Sequence, residues 1–159
     1  MFRRMLTTRS LCVSAMIAAL YAALTLLLAP ISYGNLQCRV SEAMTLLPMV
    51  LPQAIPGLFV GCLLANLYTG SVWDILFGSL ATLIAAIGTY SLRKRPVLAA
   101  ACPVVANGLI VGAVLSVTYA LPMALTMLEV AVGEVGAVLI GVALLAALKR
   151  TKIDWSRLQ

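Results

Sequence analysis

The sequence predicts an all-α polytopic membrane protein: six transmembrane helices in one compact bundle, with N- and C-termini on the cytoplasmic side. Three observations carry that expectation. Of 159 residues, 63% are hydrophobic and 10% charged, whereas a soluble domain carries nearer a quarter charged; mean hydropathy is +1.08. At roughly 20 residues per span, the length leaves room for five or six crossings with short loops and for no second soluble domain. The formal charge of +6 gathers in three short clusters, Arg3/Arg4/Arg9, Arg93/Lys94/Arg95 and Lys149/Arg150/Lys152, between long apolar runs. Short cytoplasmic loops concentrate Lys and Arg in this way, whereas nucleic acid needs a continuous basic footprint.

Taken in order, the spans are expected at 11–31, 40–51, 54–68, 74–92, 97–117 and 123–148. The first follows Arg3, Arg4 and Arg9, is long, and lacks a clear small-x-small cleavage site before Pro30, so it reads as a span and not as a cleaved signal. Its alanines recur at helical spacing. Ala15 with Ala19, and Ala18 with Ala22, form small-xxx-small pairs that permit close helix approach in lipid, within this subunit or against another. Polar residues from Ser32 to Cys38 form an external loop.

The chain between Val40 and Tyr68 reads as one kinked span or as two short ones. Pro52 and Pro56 bracket Gln53 and Ala54 in a turn, because proline lacks a helix donor and restricts its predecessor. Charge placement decides for two. With six spans all three basic clusters share one side, and only Arg39 is left outside; with five, the last two clusters would fall outside. Ser71 followed by Asp74 then reads as a capping box opening the fourth span, with Trp73 at interface depth. In the fifth span, Gly108 and Gly112 form a GxxxG pair that lets a neighbour come close.

Ionisable groups in or near lipid are expensive unless they pair, reach the interface or face a cavity. Glu42 and Glu129 are the first candidates for a solute site, followed by Asn66 and Asp74. Arg39 and Asn107 are candidate donors. Each has a structural alternative: Asp74 caps a helix, Asn107 bonds across the bundle, and Glu129 or Glu134 bonds a neighbouring helix. Glu129 and Glu134 point about 140° apart on a straight helix, so they do not share one narrow slot. Carboxylates sharing an outer cavity repel one another, and a donor-rich or cationic solute relieves that repulsion.

Reaction chemistry finds no footing. The chain has no histidine, no nucleophile elbow, no zinc-protease pair and no Walker A loop. The cysteines, Cys12, Cys38, Cys62 and Cys102, have no paired spacing and read as packing residues, so neither a metal nor a cofactor is expected in this chain. A secondary carrier or channel, or a structural subunit, is the competing class. Vesicle transport by this chain alone, or the lack of saturable binding, would distinguish them.

The ordered combination of RVSEAMTLLPMVLPQAIPGLFVGCLLANLYTG, DILFGSLATLIAA, Asn107 in the fifth span and Gly133-Glu134 in the sixth resembles the queuosine-precursor transporter family. These are the QueT-type substrate-binding S components of energy-coupling-factor transporters, and the resemblance runs from about Leu11 to Leu148. It implies a bacterial plasma-membrane protein that captures a 7-deazaguanine-type base from outside. It also implies partners, a transmembrane coupling subunit and two cytoplasmic subunits that use the ATP. Small residues on the first helix dock the coupling subunit in the wider class, which here points to Ala15, Ala19 and Ala23, and the loop from Ser32 to Arg39 would be the gate. A guanine-like edge would take one carboxylate in a bidentate pair, with a donor such as Asn66, Asn107 or Arg39 on its carbonyl, and Tyr33, Tyr68, Trp73 or Tyr119 could stack on its flat ring. The alternative solute is another small polar vitamin or nucleobase-like compound, taken by an S component or a secondary carrier.

Overall fold

The structure, a computed structural model, describes residues 7–32 and 39–150. Expectations for Arg3, Arg4, Tyr33, Cys38, Lys152 and the interior of the 32–39 gate lie outside the described residues.

All elements among the described residues are helical. Helix α1 spans Thr8–Leu27, opened by Thr7, whose hydroxyl oxygen accepts the Ser10 N–H at 3.3 Å. A single turn, α2, follows at Ala29–Ser32, so the stretch expected as one span breaks at Leu28. Pro30 accounts for the break, since it has no N–H with which to continue the ladder. The expected 40–51 span is a 3₁₀ helix, Val40–Met49, ten residues long and containing Pro48. Tighter winding extends it to roughly 20 Å, against roughly 15 Å as an α-helix. Helix α3 covers Ala54–Leu67. A π-helical turn at Asp74–Gly78 then leads into α4, Ser79–Ser91. Finally come α5, Pro96–Tyr119, and α6, Met123–Arg150.

Among the described residues four stretches are long and apolar enough to cross a membrane: Thr8–Leu27, Asp74–Ser91, Pro96–Tyr119 and Met123–Arg150. Helix α3 is equally apolar but shorter. Large apolar side chains such as Val105, Leu109, Leu128, Val132 and Leu139 lie exposed along α5 and α6. Water would reject such a surface, whereas lipid accepts it. The fold is therefore an all-α, membrane-embedded helical assembly.

Missing side chains set the helix pairings. A Cβ on Gly57 would stand 2.6 Å from the Ser14 carbonyl oxygen, and one on Gly61 2.8 Å from that of Ala18. Because 57 meets 14 and 61 meets 18, α1 and α3 lie in contact and run parallel. The intervening 3₁₀ helix runs back between their levels. At one end Ser41 Oγ lies 2.6 Å from Thr25 Oγ1; beyond the other, Ser14 Oγ donates to the Gln53 carbonyl at 2.8 Å. Gly108 and Gly112 do admit a close neighbour, which is α6 at Ala131 and Met127. Those pairs descend as the residue numbers rise, so α5 and α6 are antiparallel.

The 3₁₀ helix is the centre of the assembly. It packs against α1, α3, α4, α5 and α6, and its residues from Ser41 to Pro48 are all buried. Gly141 of α6 brings backbone against backbone here, since a Cβ on it would lie 2.5 Å from the Ala43 carbonyl oxygen. Met44, Leu46 and Leu47 join Ile17, Tyr21, Leu58 and Val138 in the main apolar cluster. A smaller cluster of Ala81, Val111, Leu115 and Val130 lies between α4, α5 and α6.

Two irregularities in the helices are satisfied by side chains from a neighbour. Pro103 stands inside α5 and cannot donate to the Ala99 carbonyl four residues back; Thr89 Oγ1 of α4 donates to that carbonyl instead, at 3.2 Å. In the π turn, Asn66 Nδ2 donates to the Asp74 carbonyl at 2.9 Å, and a Cβ on Gly78 would lie 2.9 Å from the same nitrogen. An inserted side chain of this kind accounts for the widened turn. Thr89→Val should lower stability by about 1 kcal/mol, with a larger cost if the orphaned carbonyl finds no other donor. Thr89→Ser should restore most of it, as read by thermal unfolding in detergent.

Candidate functional site

Glu42 is the third residue of the 3₁₀ helix, and buried: 2% of its surface is exposed. Its Oε1 accepts two hydroxyl hydrogens, from Tyr21 of α1 and from Thr82 of α4 at 3.1 Å. Each such bond to a charged acceptor contributes about 1.5–3 kcal/mol. Tyr21 and Thr82 are themselves buried, so the carboxyl is held in one orientation by two helices. Its second oxygen, Oε2, has no hydrogen-bond partner among the described residues.

Glu42 also lines a cavity, together with Arg39, Asn107, Val111, Val130 and Glu134. Glu134 of α6 is 3% exposed and Asn107 of α5 is 3% exposed. Among the described residues, Glu134 Oε1 and Asn107 Oδ1 also lack partners. The Asn107 amide interacts with both carboxyls, and the Arg39 guanidinium acts electrostatically on both. An unpaired buried polar atom costs about 1–3 kcal/mol, more when charged. Three residues that carry such an atom line this one cavity, which makes it the candidate ligand site. The cavity has a volume of about 10 Å³, room for about one water. A base-sized ligand therefore requires the lining to part.

Depth follows from helix position. Asn107 lies twelve residues before the end of α5 and Glu134 eleven after the start of α6, roughly 18 and 17 Å along their axes. The polar groups thus sit near mid-helix, well away from the turn that joins α5 to α6.

The structure brings four of the expected site residues together: Glu42, Arg39, Asn107 and Glu134. The others lie elsewhere. Glu129 is half-buried and outside the lining, on a different face of α6 from Glu134. The inward face of α6 runs through Thr126, Val130, Gly133, Glu134, Ala137, Val138, Gly141 and Leu145. Glu134 shares its register with Gly141, seven residues on, and Glu129 does not. Asn66 is buried, but its amide is engaged at the π turn, with Oδ1 unpartnered among the described residues. Asp74 is half-buried at the start of that turn, and its N–H donates to Ser71 Oγ at 3.4 Å, half of the expected capping box. Tyr68, Trp73 and Tyr119 are exposed, with Trp73 stacked on Phe77 at 5.6 Å. Tyr21, Thr82, Val111 and Val130 were not anticipated at the site. The signal for the first two was an isolated hydroxyl in an apolar helix, which in lipid needs a partner.

Residues 11–150 match the family described as the QueT transporter. The chain belongs to the QueT transporter family. Family membership and the apolar helices make it a multi-pass protein of the cell membrane. One similar protein is the queuosine precursor transporter QueT of Lactococcus lactis subsp. cremoris (strain MG1363), 36% identical over 72 residues. The aligned part covers 44% of this chain and 43% of that relative. No solved structure matches. Among the described residues no three or more His, Cys, Asp or Glu side chains gather into a metal site, and Cys12, Cys62 and Cys102 are free thiols.

Proposed function

We propose that this QueT family member is the substrate-binding S component of an energy-coupling-factor transporter, and that it captures a queuosine precursor, a 7-deazaguanine-type base, from outside the cell. The observation that carries the reading is the convergence of Glu42, Glu134 and Asn107, each with an unpartnered buried oxygen, on one cavity beside Arg39. Carboxylate oxygens accept hydrogen bonds and offer none. Such a site therefore selects a ligand rich in N–H donors, and a deazaguanine edge is one. Arg39 and the Asn107 amide are the donors available to its carbonyl.

In this reading the chain crosses the membrane six times, with the 3₁₀ helix and α3 as two short crossings and both termini cytoplasmic. The parallel pairing of α1 with α3 supports it, because the chain must return between them. The charge pattern agrees: Arg9, Arg93, Lys94, Arg95, Lys149 and Arg150 then share the cytoplasmic side. In this reading ATP is used by two cytoplasmic partner subunits, acting through a transmembrane coupling subunit. Ala15, Ala19 and Ala23 lie exposed on one face of α1, where small side chains let a partner helix approach closely.

Detergent-purified protein should co-purify with a deazaguanine-type base identifiable by mass spectrometry, and should bind it saturably. Glu42→Gln should weaken that binding about tenfold or more while the protein stays monodisperse. A protein that retains no base and shows no saturable binding contradicts the reading; transport in vesicles by this chain alone would favour a secondary carrier. Ala19→Leu should reduce co-purification with a coupling subunit more than it reduces solute binding, and assembly at wild-type yield would count against this docking face.

A further inference from the structure

The two cavity carboxyls are not equivalent. Tyr21 and Thr82 both donate to Glu42 Oε1, and a carboxylate oxygen offers about two lone-pair sites. That oxygen is filled from behind, and only Oε2 is left for a ligand. Glu134 carries no such clamp. Among the described residues its one side-chain neighbour of hydrogen-bonding type is the Asn107 amide, and Oε1 has no partner within hydrogen-bonding distance. Two parallel N–H donors on a flat ring edge require both oxygens of one carboxylate, and Glu134 is the cavity group able to supply them.

We propose that Glu134 is the specificity-determining residue of the cavity, taking the paired ring N–H and exocyclic amino group of the base on its two oxygens, while Glu42 gives one oxygen to a different donor and is positioned for it by Tyr21 and Thr82. The assignment rests on the deazaguanine reading above and goes beyond it by dividing the recognition between the carboxyls. Glu134 stands on α6 and Asn107 on α5, so the amide that faces Glu134 comes from a second, antiparallel helix. Val111 and Val130 supply an apolar wall beside them, suited to the face of a flat ring.

The test uses 7-deazaguanine and 7-deazahypoxanthine, which differ by the exocyclic amino group, titrated calorimetrically into the detergent-purified full chain. Wild type should bind the amino-bearing base about tenfold or more tightly, the discrimination expected of one charge-assisted hydrogen bond. Glu134→Gln should bring the two affinities within about twofold. Glu42→Gln and Tyr21→Phe should weaken both bases together and leave their ratio near that of wild type. A ratio that survives in Glu134→Gln, or collapses in Glu42→Gln, overturns the assignment and leaves the deazaguanine reading standing. Absence of binding by wild type to either base overturns both. Should Glu134→Gln prove unstable, Glu134→Asp serves in its place, with a shifted carboxylate expected to lose the ratio in the same way. Loss of packing alone would weaken both bases without changing their ratio.

Discussion

A carboxyl group buried among membrane helices has to be answered by donors, and the answer given to Glu42 organises this protein. Its Oε1 takes hydroxyls from α1 and α4, so the residue ties the central 3₁₀ helix to two neighbours at once. Breaking one member of a buried polar network leaves the other uncompensated, at a cost of several kcal/mol. The same residue lines the cavity, and its Oε2 has no partner among the described residues, so the group that fastens the centre also borders the candidate site.

The centre has to be narrow for this to work. A ten-residue 3₁₀ helix with Pro48 in it forgoes the better hydrogen-bond geometry of an α-helix. In return it passes between five helices, and at Gly141 it meets α6 backbone to backbone. That contact and the Gly108 and Gly112 contacts draw α6 toward the centre and toward α5, and the inward face of α6 carries Glu134. Packing and polar chemistry are therefore one design. The small residues set the helix spacing that lets two carboxyls from different elements line one cavity.

Much of this was legible in the sequence. Hydropathy and the basic clusters indicate a membrane bundle, and Pro52 and Pro56 indicate the break between the short central segment and α3, because lipid and proline chemistry act locally and leave marks in composition. The GxxxG pair at Gly108 and Gly112 marks a true close approach for the same reason. The 3₁₀ winding and the π turn were not legible: the π turn receives Asn66 from the preceding helix at Asp74 and Gly78, and the 3₁₀ helix meets α6 backbone to backbone at Ala43 and Gly141, contacts that hydropathy does not mark. The site divides in the same way. Glu42, Arg39 and Asn107 could be picked out by residue type, but choosing Glu134 over Glu129 needed the rotational register of α6. The partnership of Tyr21 and Thr82 with Glu42 needed the tertiary fold.

If Glu42 and Glu134 share one ligand, their effects on binding are coupled. Neutral residues acting on separate sites contribute independently, whereas groups sharing a ligand, an amide and a guanidinium do not. The most direct measurement is a double-mutant cycle on 7-deazaguanine affinity with Glu42→Gln, Glu134→Gln and the pair. The account predicts a coupling above about 0.5 kcal/mol. Additivity to within about 0.3 kcal/mol would mean that the two carboxyls do not meet the same solute, and would contradict it.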